Sequence, residues 1–250
     1  SWFEPVIAQL EDLSPLAHDP FTSVYFRKLE ELTVRALERC GRQYLVGYPD
    51  VHPSLDCAAA WRGLTALCLD MASAPAQLAP LLELSVRDFQ RVFAHFNRLV
   101  RAHGLPSITW LGIPSFDAQH IPSCDVSAMI STEHFVQYSL PLLERETAGM
   151  ARNTYSVDGP GVARHLEVLL ALPEIHAMYW VPGLGPDAPI LQWIPLLKRI
   201  QAAGKSVIVD VGPDELDEFM AAIRPEGVMP FLNVSAGQEP EIMRRITRWR

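Results

Sequence analysis

From residue 43 onward, short runs rich in β-branched and aromatic residues alternate with longer stretches of helical periodicity. This alternation constrains the fold more than any other feature, because strand–helix–strand repeats are the pattern of a parallel sheet covered by helices. Six runs read as strands: QYLVGY (43–48), SITWLGI (107–113), NTYSV (153–157), AMYWV (177–181), SVIVDV (206–211) and GVMPFLNV (227–234). Pro230 weakens the last, since proline removes a ladder donor. Helical segments separate them, among them LTALCLDM, APLLELSVRDFQRVFAHFNRLVRAHG, STEHFVQYSLPLLERETAGM and ILQWIPLLKRIQAAG. Pro160 after Gly159 and Pro213 before Asp214 and Glu215 mark helix starts, and Gly204 marks a stop before a β-branched strand.

Residues 1–42 read as leading helices, with Val24, Leu29, Leu32, Val34 and Leu37 near helical spacing. The chain is therefore expected to form a single α/β domain over 1–250, with six β-α units in 43–250. A TIM (β/α)8-type barrel needs eight strands. The two that are lacking are expected to precede residue 1, and the absence of an initiator Met agrees with a truncated chain.

The net charge of −8 argues against a nucleic-acid partner, because neutralising phosphates needs a basic surface. The basic end RRITRWR reads as a solvated helix face. No apolar run reaches the ~18 residues of a spanning helix, so no membrane partner is expected. The opening SWFEPVIAQLEDL lacks the basic start of a signal peptide. Cys40, Cys57, Cys68 and Cys124 form no CxxC pair, read as reduced thiols, and make a cytoplasmic location the expectation.

In a parallel α/β fold the segments after the strands gather at their carboxyl ends, where active sites are built. Asp50, His52, Asp56, Asp117, His120, Cys124, Asp125, Asp158, Asp210 and Asn233 all follow strand runs and are expected to converge on one mouth. In TYSVDGPGVARHL, Asp158 leaves a strand before a Gly-Pro turn. Its carboxylate is placed to act as acid, base or metal ligand, or else to cap the next helix. No GxGxxG phosphate cradle is present. SFDAQHIPSCD gathers Asp117, His120, Cys124 and Asp125 without a standard zinc spacing. His52 and Asp56 stand at i and i+4, where they would share a helical face. His95, His103 and His165 fall inside helices and read as structural or surface residues. A Ser/His/Asp triad stays open, although no GxSxG elbow marks a nucleophile.

The stretch from Trp110 to Val234 resembles the uroporphyrinogen decarboxylase superfamily, which also includes methylcobamide:coenzyme M methyltransferases. The resemblance is carried by CDVSAMISTEHFVQYSLPLLERE, DGPGVARHLEVLLALPEIHAMYWVPGLG and LLKRIQAAGKSVIVDVGPDEL, with VGYPDVHPSLDCAAAWRG upstream. It implies a TIM barrel, a homodimer, and decarboxylation of a carboxylate-rich tetrapyrrole or a related small-molecule reaction without a cofactor. Asp158, Asp125 and Asn233 are then the expected catalytic residues. His52, Asp56, His120, Trp110 and Trp180 are the expected substrate-binding ones.

The alternative within the superfamily is a corrinoid-linked methyltransferase. It implies zinc, a corrinoid and a corrinoid protein as partner, with Asp158, His120 and Cys124 as candidate metal ligands. The zinc methyltransferases place His-x-Cys-Gly where this chain reads Ser156-Val157-Asp158-Gly159, and decarboxylase-like relatives often read His-x-Asp-Gly. True decarboxylases carry Leu-Asn-Leu-Gly-His-Gly on the last strand, where LNVSAG keeps Asn233 and has Ala236 in place of the His. These departures support a third reading, a barrel relative without catalysis that binds a partner.

Overall fold

The computed structural model describes residues 4–41 and 43–249. The chain divides into two compact units, Ser1–Arg152 and Asn153–Arg250. Residues 1–3 and Arg42 of the expected leading helices, and Arg250 of the basic end, lie outside the described residues.

The first unit is mostly helical. Only one of the expected leading helices forms, α1 (Val24–Cys40), which starts where the Ser23 hydroxyl accepts from the Tyr25 N–H. Before it, residues 4–23 hold two short 3-10 turns, Ser14–Leu16 and Pro20–Thr22, because prolines interrupt any longer ladder. Helices α2 (Ser54–Arg62), α3 (Leu64–Ser73) and α4 (Pro75–Ala102) follow. The long α4 forms as its periodicity predicts. Leu78, Leu82, Val86, Phe89, Phe93, Phe96 and Val100 recur every three or four residues and are buried. Helices α1, α2 and α3 all pack against α4.

Two expected strands do not form. QYLVGY forms no strand: Gln43 lies in the turn after α1, its N–H donating to Cys40 O, and residues 44–48 have no regular structure. A Cβ at Gly47 would run into the Ile108 carbonyl oxygen, so two backbones pass too closely there for an ordinary side chain. SITWLGI folds back on itself as an antiparallel hairpin of β1 (Ser107–Ile108) and β2 (Pro114–Ser115). Gly112, at φ +72°, supplies the left-handed residue this turn needs. The short β3 (Gln119–His120) comes next, then a 3-10 turn over Asp125–Met129. The last helix of the unit starts as α5 (Thr132–His134), widens into a π turn over Phe135–Ser139, and continues as α6 (Leu140–Thr147). Pro141 cannot donate to the carbonyl four residues back, and the helix widens just before it.

The second unit holds the parallel sheet. Strands β4 (Arg152–Asp158), β5 (Ala177–Val181), β6 (Ser206–Asp210) and β7 (Val228–Phe231) pair in sequence order, all parallel. Helices α7 (Gly159–Ala163) and α8 (Leu166–Ala171) lie between β4 and β5, α9 (Ile194–Ala202) before β6, α10 (Leu216–Ala222) before β7, and α11 (Glu239–Thr247) after it. This is an α/β architecture with a parallel sheet flanked by helices, as the alternating pattern predicts.

Local chemistry sets the junctions. Gly204, at φ +75°, closes α9: its N–H donates to Gln201 O, and the Lys205 N–H donates to Ile200 O. The carbonyls of Gly227, just before β7, and Phe231 accept from the N–H groups of Val207 on β6 and of Val211 just after it. In a parallel ladder this turns the odd-numbered residues of β7 inward. Pro230 therefore faces the outer edge, where its missing donor costs no ladder bond.

The two faces of the sheet differ. Tyr155, Val157, Met178, Trp180, Val207 and Val209 share one face and are at most 1% exposed. Ser156, Asp158, Tyr179, Ile208, Asp210 and Phe231 share the other, which is more polar. Among the described residues no helix is long and apolar enough to cross a membrane.

Candidate functional site

Besides the buried Ser156, the polar face of the parallel sheet carries three oxygen-bearing side chains at or near its carboxyl edge. Asp158 ends β4 and Asp210 ends β6, both exposed, while Tyr179 lies on β5 between them. Residues in register point to the same side, which is why alternate positions of three strands meet here. The Tyr179 hydroxyl donates to Asp210 Oδ2 at 2.7 Å. Burial pushes the phenol above its ordinary range, and the charges of Asp210 and Asp158 push it further. Tyr179 therefore stays protonated and fixes the Asp210 carboxylate. Asp158 stands at the N-cap position of α7, but its side chain makes no capping bond.

Asp210, Phe231 and the expected Asn233 line a cleft of about 450 Å³ beyond the ends of β6 and β7, together with Gly185, Pro189 and Glu215. The Glu215 carboxylate is anchored by the Leu191 N–H at 3.3 Å. The arrangement presents negative charge to a ligand on one open face, with an aromatic ring beside it.

Sequence reasoning missed Tyr179. Its signal was parity, since it is the one residue with a polar group on its side of AMYWV. Trp180, one position on, faces the other way. It is fully buried, its ring 4.7 Å from that of Trp193, so it is a core residue with no surface to offer a substrate.

The first unit holds a second group. His52 Nε2 lies 2.9 Å from Asp50 Oδ1, and the Ser123 hydroxyl lies 3.1 Å from His52 Nδ1. The bond to Asp50 raises the His52 pKa above the usual 6.5, and His52 in turn holds the Asp50 carboxyl below the usual 3.8. The expected pairing of His52 with Asp56 on one helical face does not occur, because α2 begins at Ser54 and His52 lies in the loop before it. Ser54 is the one described non-glycine residue at positive φ, +74°, and its N–H is held by Ser85 Oγ. Such strain concentrates at constrained functional segments.

Asp56 braces the backbone. Its two carboxylate oxygens accept from the N–H groups of Asp125 and Val126, each at 2.9 Å, which caps the 3-10 turn. Burial nevertheless raises its pKa, outweighing those bonds. His120 and Glu146 form a buried pair, Nε2 to Oε1 at 2.7 Å, against the rings of Phe89 and Phe93. Cys124 is buried, and burial pushes its thiol up. Burial likewise pushes Cys57 up to about 12.

His120 and Cys124 are therefore poor metal donors as placed, one committed to Glu146 and the other held as a thiol. Among the described residues no group of three or more His, Cys, Asp or Glu side chains could hold a metal ion. Asp125 is exposed at the mouth of this cluster, Asp117 is exposed on the loop before β3, and Trp110 is half exposed in the hairpin turn. The expected candidates thus fall into two groups, each contained in its own unit. No protein-family model, no curated protein and no solved structure matches the chain.

Proposed function

We propose that this chain is an enzyme of the uroporphyrinogen decarboxylase type, which removes carbon dioxide from a carboxylate-rich tetrapyrrole or a related small molecule. The observation that carries the reading is the Tyr179–Asp210 hydrogen bond beside Asp158, on the polar face at the carboxyl edge of a parallel sheet. Decarboxylation of a pyrrole acetate requires protonation of the ring carbon first. The ring then carries positive charge and takes up the electron pair of the breaking C–C bond. The exocyclic methylene left behind takes up a proton to become a methyl group, and the ring carbon gives back the proton it first received. Carboxylates fixed beside the ring stabilise that developing cation, and they do so best when already oriented. Tyr179 supplies this orientation for Asp210, and Asn233 supplies an amide to position substrate polar groups.

Carbon dioxide release from uroporphyrinogen, measured with the isolated chain and with Asp158→Asn and Asp210→Asn, tests the reading. Each variant is expected to lower kcat by about 100-fold, as removal of one preorganised charge-stabilising group does. Both side chains are exposed, so melting temperatures are expected to stay within a few degrees. Release that is unaffected by both substitutions, or absent from the unmodified chain, overturns it.

A further inference from the structure

We propose that Ser123 is the nucleophile of a second, hydrolytic site, activated by His52 and oriented through Asp50, which cleaves small uncharged or cationic esters. The three groups form one continuous chain in the order nucleophile, base, carboxylate: Ser123 Oγ to His52 Nδ1 at 3.1 Å, then His52 Nε2 to Asp50 Oδ1 at 2.9 Å. With neutral imidazole, Nε2–H donates to Asp50 and the Nδ1 lone pair accepts from the serine hydroxyl. That is the tautomer a general base needs, and the carboxylate is what selects it.

All three residues line one cleft of about 770 Å³ in the first unit. The loop that bears Ser123 is fixed on both sides. Upstream, His120 is held by Glu146 in the core. Downstream, Asp56 takes the N–H groups of Asp125 and Val126, and the Ser127 hydroxyl donates to Cys124 O. On the facing side, the buried Pro53 and the constrained Ser54 fix the segment that carries His52. A nucleophile and base held by two independently braced loops meet the requirement for preorganisation. A hydroxyl needed only to tie two loops together would not have to open into a cleft.

The cleft also states the substrate class. Ala59, Ala60, Leu64 and Met129 give it apolar walls, while Asp50 and Asp125 give it an acidic rim. Short acyl groups fit such walls, and an anionic ester is repelled by the rim. In the reaction, Ser123 Oγ bonds to the acyl carbon as its proton passes to His52. The ester C–O bond breaks, and the leaving alkoxide takes that proton. Water, deprotonated by His52 in turn, then displaces the acyl group and restores Ser123.

The test is to treat the full chain with an alkyl fluorophosphonate, from which a serine nucleophile displaces fluoride, and to map the adduct by mass spectrometry. p-Nitrophenyl acetate hydrolysis is followed in parallel. The adduct is expected on Ser123, with labelling lost in Ser123→Ala and slowed at least 100-fold in His52→Gln. The labelling rate is expected to rise with pH as His52 gives up its proton, above pH 6.5. The shift is upward because the Asp50 carboxylate accepts a hydrogen bond from the ring, and the charges of Asp50, Glu146 and Asp56 add to it. An ester with a quaternary ammonium group is expected to outcompete one with a carboxylate. Should a variant fail to fold, the adduct map on the unmodified chain decides alone. An adduct on another residue, no adduct, or a His52→Gln labelling rate equal to that of the unmodified chain overturns the proposal.

Discussion

Glu146 and His120 show what a single buried polar contact is worth in this chain. Both are at most 2% exposed, and among the described residues His120 Nδ1 has no hydrogen-bond partner, so the ring's polar contact there is the 2.7 Å bond from Nε2. Replacing Glu146 with Leu would leave the imidazole with no partner in an aromatic shell. The expected cost is about 2–3 kcal/mol, because an orphaned buried group loses its hydration without return. A lowered urea midpoint at unchanged slope would show it. At this scale the sequence was only partly legible. It marked His120 as a candidate from its position after a strand run, but Glu146 belongs to a helix 26 positions away and carried no signal of its own. Ser123 was invisible for the same reason. Its partner His52 is 71 positions earlier, and no local motif announces a pair that only tertiary packing creates.

At the level of elements, the glycine that ends α9 is the sharpest case. Gly204 holds φ at +75° and nothing crowds its missing side chain, so the conformation alone decides a substitution. Gly204→Ala is expected to cost about 1–2 kcal/mol, the penalty of a left-handed residue with a Cβ, and to appear as a drop in melting temperature. This junction was readable in advance, as were α4 and the cores of β4, β5 and β6. Each combines a hydrophobic period with a Gly or Pro boundary, and both signals are local. QYLVGY and SITWLGI have the residue types of strands but lack the rest. One is forced past another backbone at Gly47 and the other turns at Gly112, so neither finds a parallel neighbour. Strand propensity states only that a segment fits a pleated surface, and the partner decides whether a ladder forms.

For the whole molecule, the alternating pattern correctly announced a parallel sheet, yet it hid the division into two units. The boundary between Arg152 and Asn153 falls at the start of β4, inside a series that reads as continuous, with no change of composition to mark it. The order of the sheet leaves β7 as its last strand, and there Pro230 turns outward. That position has a consequence for how copies of the chain behave when crowded. A foreign strand laid along β7 would meet a gap where a donor is needed, and the proline ring would hold it off. Pro230→Val would leave the inner ladder intact while completing the row of outward-facing amide donors. Its expected effect is faster growth of thioflavin-positive aggregates on gentle heating, with little change in the urea midpoint of the soluble protein. A residue that weakened the case for a strand thus serves as the sheet's guard against polymerisation.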